Sequence, residues 1–294
     1  MKQRLEGTGV ALVTPFKKNL EVDHEALKKI CQHVINGGVN YLVLLGTTAE
    51  TVTLSETEKF EILETVVSEV QQKIPLVLGW GGNNTRAICE SLHKIPKKHF
   101  SAILSVAPYY NKPNQEGYFQ HYKAIAQASP LPIILYNVPG RTGSNVQAAT
   151  QLRLAHQFKN IVATKEASGN LEQIMSIIQN KPKSFELISG DDNLTLPAIA
   201  AGASGVISVS ANAFPSEMSR MVRFALNSQL PKAQFLHYKL FNFTQHLFAD
   251  GNPGGIKIAL ETLGLASSKL RLPLTPPVPE IQKAIKTSIK LMQS

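Results

Sequence analysis

The stretch Ile161-Val162-Ala163-Thr164-Lys165-Glu166 is a short apolar run that ends in two charged residues. A continuous apolar run, without polar alternation, is typical of a strand that is buried on both faces of a parallel sheet. A lysine at the end of such a strand lies at the edge of the core, where an ammonium is costly unless it is paired or neutralised. A neutral lysine amine can form a Schiff base with a carbonyl substrate. Taken alone, Lys165 is more simply interpreted as a side chain that reaches into water.

Similar apolar runs recur through the first three quarters of the chain. The other runs are residues 9–13, 41–45, 76–79, 102–106, 132–136, 185–189 and 205–209. Helical patterns lie between them, and the second of these, residues 55–70, begins with a capping box at Ser55 and Glu58 and places Phe60 on its apolar face. The strand-to-strand interval of roughly thirty residues is typical of repeated βα units.

Eight such units predict an α/β fold of the (β/α)8, or TIM barrel, type, whose usual length of about 250 residues fits the chain. A doubly wound open sheet is the alternative, but no G-x-G-x-x-G follows the first run, and 79–82 matches only part of that pattern. After residue 227 the strand-like runs stop and helical patterns follow. We therefore expect a catalytic barrel over residues 1–227 and a C-terminal helical domain over 228–294.

The composition fits a globular protein, with 43% hydrophobic and 17% charged residues and a net charge of +9. The positive charges are scattered, so we expect no nucleic-acid partner, although the excess would attract small anionic substrates. Cys31 and Cys89 form no CxxC pair and the histidines show no metal-ligand spacing, which predicts neither metal nor cofactor. No run reaches membrane-spanning length, and residues 1–4 precede no apolar signal segment, so we expect a cytoplasmic protein.

Polar residues follow the apolar runs, where a barrel carries its catalytic groups. The second run leads into Gly46-Thr47-Thr48-Ala49-Glu50, whose hydroxyls and amides suit a carboxylate, although an ordinary turn has the same composition. Tyr109 and Tyr110 follow the fourth run. The fifth run ends in Tyr136, a proton donor, and leads to Arg141, whose guanidinium can grip a carboxylate. An amine, phenols and carboxylate-binding groups on one rim indicate Schiff-base chemistry on an oxo acid.

These motifs resemble those of the dihydrodipicolinate synthase group of the pyruvate-dependent class I aldolase family, which also contains N-acetylneuraminate lyase. The matching segments are residues 46–50, 109–111, 136–143, 165–171 and 189–192. They occur in order over essentially the whole chain. The resemblance implies a barrel that condenses pyruvate with aspartate semialdehyde on the diaminopimelate route to lysine, without metal or cofactor. It also implies a homotetramer.

The resemblance further implies a role for each matching residue. Lys165 forms the Schiff base with pyruvate. Tyr136, Thr47 and Tyr110 form a proton relay, with Tyr110 reaching into the site of a neighbouring subunit, so that at least a dimer is needed. The implied substrate contacts are Thr48 for the pyruvate carboxylate, Arg141 for the carboxylate of aspartate semialdehyde, and backbone groups of Gly190 and Ile207.

The sequence departs from the pattern at Ala49, where the family usually has glycine. An alanine would be strained if this position required a positive φ. We therefore expect position 49 to adopt the conformation of a helix start, which alanine accommodates.

A second departure concerns feedback inhibition by lysine. In lysine-sensitive relatives the inhibitor site has a histidine and a glutamate at the positions of Lys59 and Ala87. Asn83 and Tyr109 are retained, and Glu56 is a further candidate position at this site. A cation at Lys59 and no carboxylate at Ala87 should repel the ammonium of lysine. We expect weak or absent inhibition.

Three alternative functions remain open from the sequence. A sister lyase would cleave N-acetylneuraminate or another 2-keto-3-deoxy sugar acid, whereas Arg141 favours a small carboxylated aldehyde. A barrel that binds ligands without turnover would not need the set Thr47, Tyr110, Tyr136 and Lys165. A basic nucleic-acid binder is the third alternative, and salt-dependent retention on DNA would identify it.

Overall fold

Eight parallel strands form a closed barrel in a computed structural model that describes residues 5–293. The strands are β1 Gly7–Ala11, β2 Tyr41–Leu44, β3 Leu76–Gly79, β4 Ala102–Val106, β5 Ile133–Asn137, β6 Ile161–Glu166, β7 Glu186–Ser189 and β8 Gly205–Ser208. Each predicted run forms one strand, with ends displaced by at most two residues. The predicted (β/α)8 fold is confirmed, and the closed barrel excludes the doubly wound sheet.

Helices alternate with the strands and continue beyond the last one. They are α1 His24–Asn36, α2 Glu56–Val70, α3 Thr85–Ser91, α4 Gln115–Ala128, α5 Pro139–Thr142, α6 Ala148–Gln157, α7 Leu171–Asn180, α8 Thr195–Ala201, α9 Pro215–Leu226, α10 Leu230–Phe248, α11 Gly254–Thr262 and α12 Pro279–Gln293. The helical patterns predicted after residue 227 are confirmed, since α10 to α12 lie there. None of the helices within residues 5–293 is both long enough and apolar enough to cross a membrane.

In helix α2 the local sequence determines where the helix begins, whereas packing against other elements determines which side of it is buried. The capping box is present, since Ser55 Oγ accepts from the Glu58 amide and the Glu58 carboxylate accepts from the Ser55 amide. The prediction that Phe60 is buried is wrong, because 37% of this residue is exposed. The buried stripe includes Ile62 and Val66 and is rotated away from Phe60.

The described residues form two compact units. One contains residues 5–6 and 75–207, and the other contains 7–74 and 208–293. The C-terminal helices therefore belong to the same unit as β1 and β2. The sequence-based division at residue 227 stays a prediction. The expected absence of a leader segment concerns residues 1–4, which lie outside the described range.

Candidate active site

Lys165 lies within β6, as its fifth residue, and only 6% of it is exposed. The register of β5 and β6 pairs it with Tyr136, which is also buried. The Lys165 Nζ atom lies 4.4 Å from the centre of the Tyr136 ring, within the range of a cation–π contact. The interpretation of Lys165 as a lysine that reaches into water is wrong, because the strand continues through it and buries the side chain. The structure thus brings together two of the four predicted catalytic residues.

Gly190 follows β7 and gives the Lys165 side chain the space that it occupies. A Cβ added at Gly190 would lie 2.6 Å from Ala167 Cβ and 3.1 Å from both Cγ and Cε of Lys165. The Gly190 amide donates to the Glu166 carbonyl at 2.7 Å, which fixes this close approach. Gly190 therefore lies against Lys165, and Ile207 is buried in β8. Their backbone contacts with substrate stay a prediction.

Glu166 is a second buried ionisable residue, directly after Lys165, and only 1% of it is exposed. Side-chain amides of Asn137, Gln151 and Gln173 donate to its carboxylate at 2.9, 2.8 and 3.0 Å. The backbone amide of Ser168 adds a further bond at 3.0 Å. Among residues 5–293 no ion pair involves Glu166. We call this arrangement the amide cage. Sequence reasoning missed it, although a carboxylate inside an apolar run was the available signal.

The turn after β2 carries the predicted carboxylate-binding hydroxyls. Thr47–Ala49 is a turn of 3₁₀ helix, so the expected helix-start conformation at position 49 is confirmed. The positive φ angles of this segment fall on Leu45 and Glu50 instead, at 53° and 52°. Thr48 is buried, and its Oγ1 accepts from Nδ2 of Asn252 at 3.1 Å. Asn252, from the C-terminal part of the chain, therefore holds the Thr48 hydroxyl that is predicted to bind pyruvate.

Glu50, at the end of this turn, is neutralised by residues from the C-terminal part of the chain. Its buried carboxylate forms an ion pair with Lys257 and accepts from the backbone amide of Arg271 at 3.0 Å. The Lys257 ammonium and the Arg271 guanidinium lie 4.0 and 4.4 Å from the centre of the Phe16 ring. Burial lowers the pKa of Lys257 to about 8, against the opposing effect of the Glu50 carboxylate. Sequence reasoning missed this cluster, although a lysine in the apolar helix α11 was a signal.

Tyr110 and Arg141, the other predicted functional residues of the rim, face solvent. Tyr110 has a φ of 70° and is 90% exposed, in contrast to the buried Tyr136 and Lys165. Arg141 is exposed in α5, the short helix that follows β5. Within one chain, therefore, the structure leaves Tyr110 outside the buried lysine–tyrosine pair.

The positions predicted for an inhibitor site lie on α2, on α3 and in the loops that follow β3 and β4. Asn83 exchanges two hydrogen bonds with the backbone of Tyr109, at 2.6 and 2.8 Å. Lys59 forms an ion pair with Glu56 at 2.7 Å, one turn earlier on α2. Ala87 lies in the first turn of α3 and offers no carboxylate.

Comparison with known proteins identifies the family of this chain. The sequence profile of the dihydrodipicolinate synthetase family matches residues 4–292. A 4-hydroxy-tetrahydrodipicolinate synthase of Flavobacterium psychrophilum is 55% identical over 272 residues, which cover 92% of this chain and 93% of the relative. The solved structure of a chloride-inhibited dihydrodipicolinate synthase of Acinetobacter baumannii, complexed with pyruvate, has a TM-score of 0.95 at 38% identity and 99% coverage of both chains.

A solved dihydrodipicolinate synthase characterised as a monomeric variant has a TM-score of 0.95 at 37% identity, with 98% of this chain and 97% of that chain covered. The profile match spans both units of the barrel and every motif of the candidate site. This chain belongs to the dihydrodipicolinate synthetase family.

Proposed function

We propose that this chain is a lyase that condenses pyruvate with L-aspartate 4-semialdehyde through a Schiff base on Lys165, on the diaminopimelate route to lysine. The activity is that named for the Flavobacterium psychrophilum relative. The observation that carries the proposal is the buried Lys165 amine, 4.4 Å from the centre of the Tyr136 ring. The site of action in this proposal is the cytoplasm.

The first half of the reaction forms the Schiff base. The Lys165 nitrogen attacks the ketone carbon of pyruvate through its lone pair and passes a proton to the ketone oxygen, and the resulting hydroxyl takes a further proton from the Tyr136 phenol and leaves as water. Thr48 holds the pyruvate carboxylate, and its bond from Asn252 fixes the hydroxyl in place. Thr47 is the second member of the relay in this proposal, and its hydroxyl stabilises the Tyr136 phenolate that this step leaves.

The second half of the reaction joins the two substrates. The Tyr136 phenolate takes a proton from the pyruvate methyl group, which turns the imine into an enamine, and the enamine carbon attacks the aldehyde carbon of the semialdehyde. The aldehyde oxygen takes a proton from the restored Tyr136 phenol and becomes a hydroxyl. The amine of the semialdehyde then attacks the imine carbon and closes the ring. One of its protons passes to the Lys165 nitrogen, which leaves as the amine, and a second returns to the Tyr136 phenolate. Arg141, exposed in α5, binds the carboxylate of the incoming semialdehyde through charge-assisted hydrogen bonds.

Tyr110 completes the relay of a neighbouring subunit. This role requires at least a dimer, and the proposed assembly is a homotetramer. Its exposure of 90% supports this part of the proposal, since a phenol that acts in its own chain would be buried like Tyr136. Mixing Lys165→Ala with Tyr110→Phe protomers tests it. The mixture should regain activity, because the first variant still supplies Tyr110 to the intact Lys165 of the second. A mixture as inactive as its components would contradict the proposal.

The substrates are tested directly with purified protein. Borohydride reduction in the presence of pyruvate should add the reduced pyruvyl mass to Lys165, and a coupled assay should show turnover with aspartate semialdehyde. Lys165→Arg, which keeps the charge, serves as the inactive control. Preferential turnover of N-acetylneuraminate would refute the proposed substrate. A failure to trap pyruvate would refute the proposed Schiff-base activity.

A further inference from the structure

The carboxylate of Glu166 faces only hydrogen-bond donors, because the surrounding amides are fixed by other bonds. Asn137 Oδ1 accepts from the Val146 amide at 3.0 Å, which turns its Nδ2 group toward Glu166. Gln151 Oε1 accepts from the Thr164 hydroxyl at 2.7 Å, which likewise turns its Nε2 group toward Glu166. Neither amide can flip without breaking these bonds.

The third amide of the cage is oriented in the same way. Gln173 Oε1 accepts from Nδ2 of Asn145 at 2.8 Å, so that its Nε2 group donates to Glu166. The Ser168 amide approaches the other carboxylate oxygen. Both oxygens of Glu166 must therefore accept, and an ionised carboxylate is the side chain that accepts on both. A glutamine at this position would turn an amide group toward other N–H donors.

The cage lies directly behind the buried lysine–tyrosine pair. Successive residues of a strand point to opposite faces, so Asn137 and Glu166 lie on the reverse face from Tyr136 and Lys165. The two pairs are adjacent in the register of β5 and β6. The Ala167 amide also donates to the Asn137 carbonyl at 2.9 Å, which extends the pairing one residue past the end of β6.

We propose that Glu166 is a positioning residue, whose amide cage fixes the ends of β5 and β6 and thereby the placement of the Lys165 amine against the Tyr136 phenol. This inference rests on the proposed function, because it concerns the rate at which Lys165 forms the Schiff base. It requires the charge of Glu166 and its full set of donors. Glu166 itself touches no substrate in this mechanism.

Glu166→Gln is the test, since it changes one oxygen to an amide group at nearly constant volume. The rate of borohydride-trapped Schiff base at saturating pyruvate should fall by roughly 10- to 100-fold, the scale expected when a reacting group is displaced by about 1 Å. Circular dichroism and the melting temperature report the folded fraction to which the rate is normalised. A trapping rate in folded Glu166→Gln equal to that of the wild type would overturn the proposal.

A rescue variant separates positioning from stability alone. In Asn137→Asp/Glu166→Gln the acid and the amide exchange places, so the amide introduced at position 166 can donate to the new carboxylate at position 137, which still accepts from the Val146 amide. The proposal expects the double variant to recover part of the trapping rate lost in Glu166→Gln, because the bond between positions 137 and 166 returns while the Gln151, Gln173 and Ser168 donors still face one amide group. A double variant that is no faster than Glu166→Gln would count against the cage.

Asn160→Asp is the matched control, at the opposite end of the same strand. Asn160 immediately precedes β6, and its Nδ2 donates to the Ala126 carbonyl at 2.7 Å. The change removes this bond and should lower the melting temperature without slowing the trapping reaction. Equal slowing in Asn160→Asp and Glu166→Gln would show a general loss of stability and overturn the proposal.

Two further outcomes keep the test decisive. If Glu166→Gln does not fold, Glu166→Asp replaces it, because the shorter side chain keeps the charge but withdraws from the amides; a wild-type trapping rate there would overturn the proposal. If the wild-type protein itself traps no pyruvate, the proposed function fails and the positioning role fails with it. Normal trapping in the wild type and in the Glu166 variants refutes the positioning role alone.

Discussion

Replacement of Gly190 by alanine should slow Schiff-base formation at Lys165 on the order of 10²-fold. The new methyl group would lie 2.6 Å from Ala167 Cβ and 3.1 Å from Cγ and Cε of Lys165. Carbon atoms in ordinary contact are separated by about 3.5–4.0 Å, so the first contact requires a shift of about 1 Å and the second a shift of roughly 0.5 Å.

Neither neighbour can move away without consequence. Ala167 Cβ is attached to backbone that is hydrogen-bonded to Asn137, so its displacement disturbs the end of β5. Lys165 is buried, so a change in its rotamer moves the amine away from Tyr136. Overpacking of this kind costs about 1–3 kcal/mol of stability, and a displacement of about 1 Å in a reacting group costs on the order of 10²-fold in rate.

The assay is the initial rate of borohydride-trapped pyruvate at Lys165, measured by mass spectrometry and normalised to folded protein. Gly140→Ala is the matched control, because a Cβ added at Gly140 meets no atom within 4 Å and the residue lies in the helix α5. That variant should trap pyruvate at the wild-type rate. Wild-type trapping by folded Gly190→Ala, or equal slowing in both variants, would refute the steric argument.

Three more predictions concern other parts of the site. Arg141→Ala should lower kcat/KM for aspartate semialdehyde by roughly 10- to 100-fold, because a hydrogen bond to a charged group is lost, and should leave pyruvate trapping unchanged. An unchanged kcat/KM would show that Arg141 does not bind this substrate. Since the pKa of Lys257 is lowered from 10.5 to about 8, the unfolded chain binds a proton above pH 8 that the native protein lacks. The free energy of unfolding of the wild type, measured in urea and expressed relative to that of Glu50→Gln/Lys257→Met, should therefore rise between about pH 8 and pH 10, by at most about 1.4 kcal/mol per pH unit. A difference between the two proteins that does not change with pH would contradict this prediction. L-Lysine should inhibit weakly or not at all, because Lys59 supplies a cation; half-inhibition at sub-millimolar lysine in a steady-state assay would refute this expectation.

The barrel could be predicted from the sequence because its signal is local. A strand covered on both faces needs a continuous apolar run, and each of the eight runs forms one strand of the barrel. The position of Lys165 within β6 was not predicted, because a charged residue normally marks the end of an apolar run. Its surroundings come from Tyr136 on β5 and Gly190 after β7, which are distant in sequence. Phe60 was placed wrongly for a similar reason, since packing by other elements decides which side of α2 is buried.

The amide cage was beyond sequence reasoning. Its donors come from a strand end, a loop and two helices, and single asparagine or glutamine residues carry no spacing that marks them as partners. Glu166 alone gave a signal, as a carboxylate within a buried run. The family resemblance supplied the candidate roles of Thr47, Thr48 and Tyr110, and these roles stay predictions until the substrates are tested.

The cluster of Glu50 with Lys257 and Arg271 has a consequence for synthesis of the chain. Glu50 and Arg271 are 221 positions apart, so the ribosome makes most of the protein before the Lys257 ammonium and the Arg271 backbone amide can reach the carboxylate. At a synthesis rate of roughly 5–20 residues per second, Glu50 waits on the order of ten seconds or more for them. A nascent or prematurely terminated chain therefore carries an unneutralised acid two positions from Thr48, and the turn reaches its final form only when the last helices emerge.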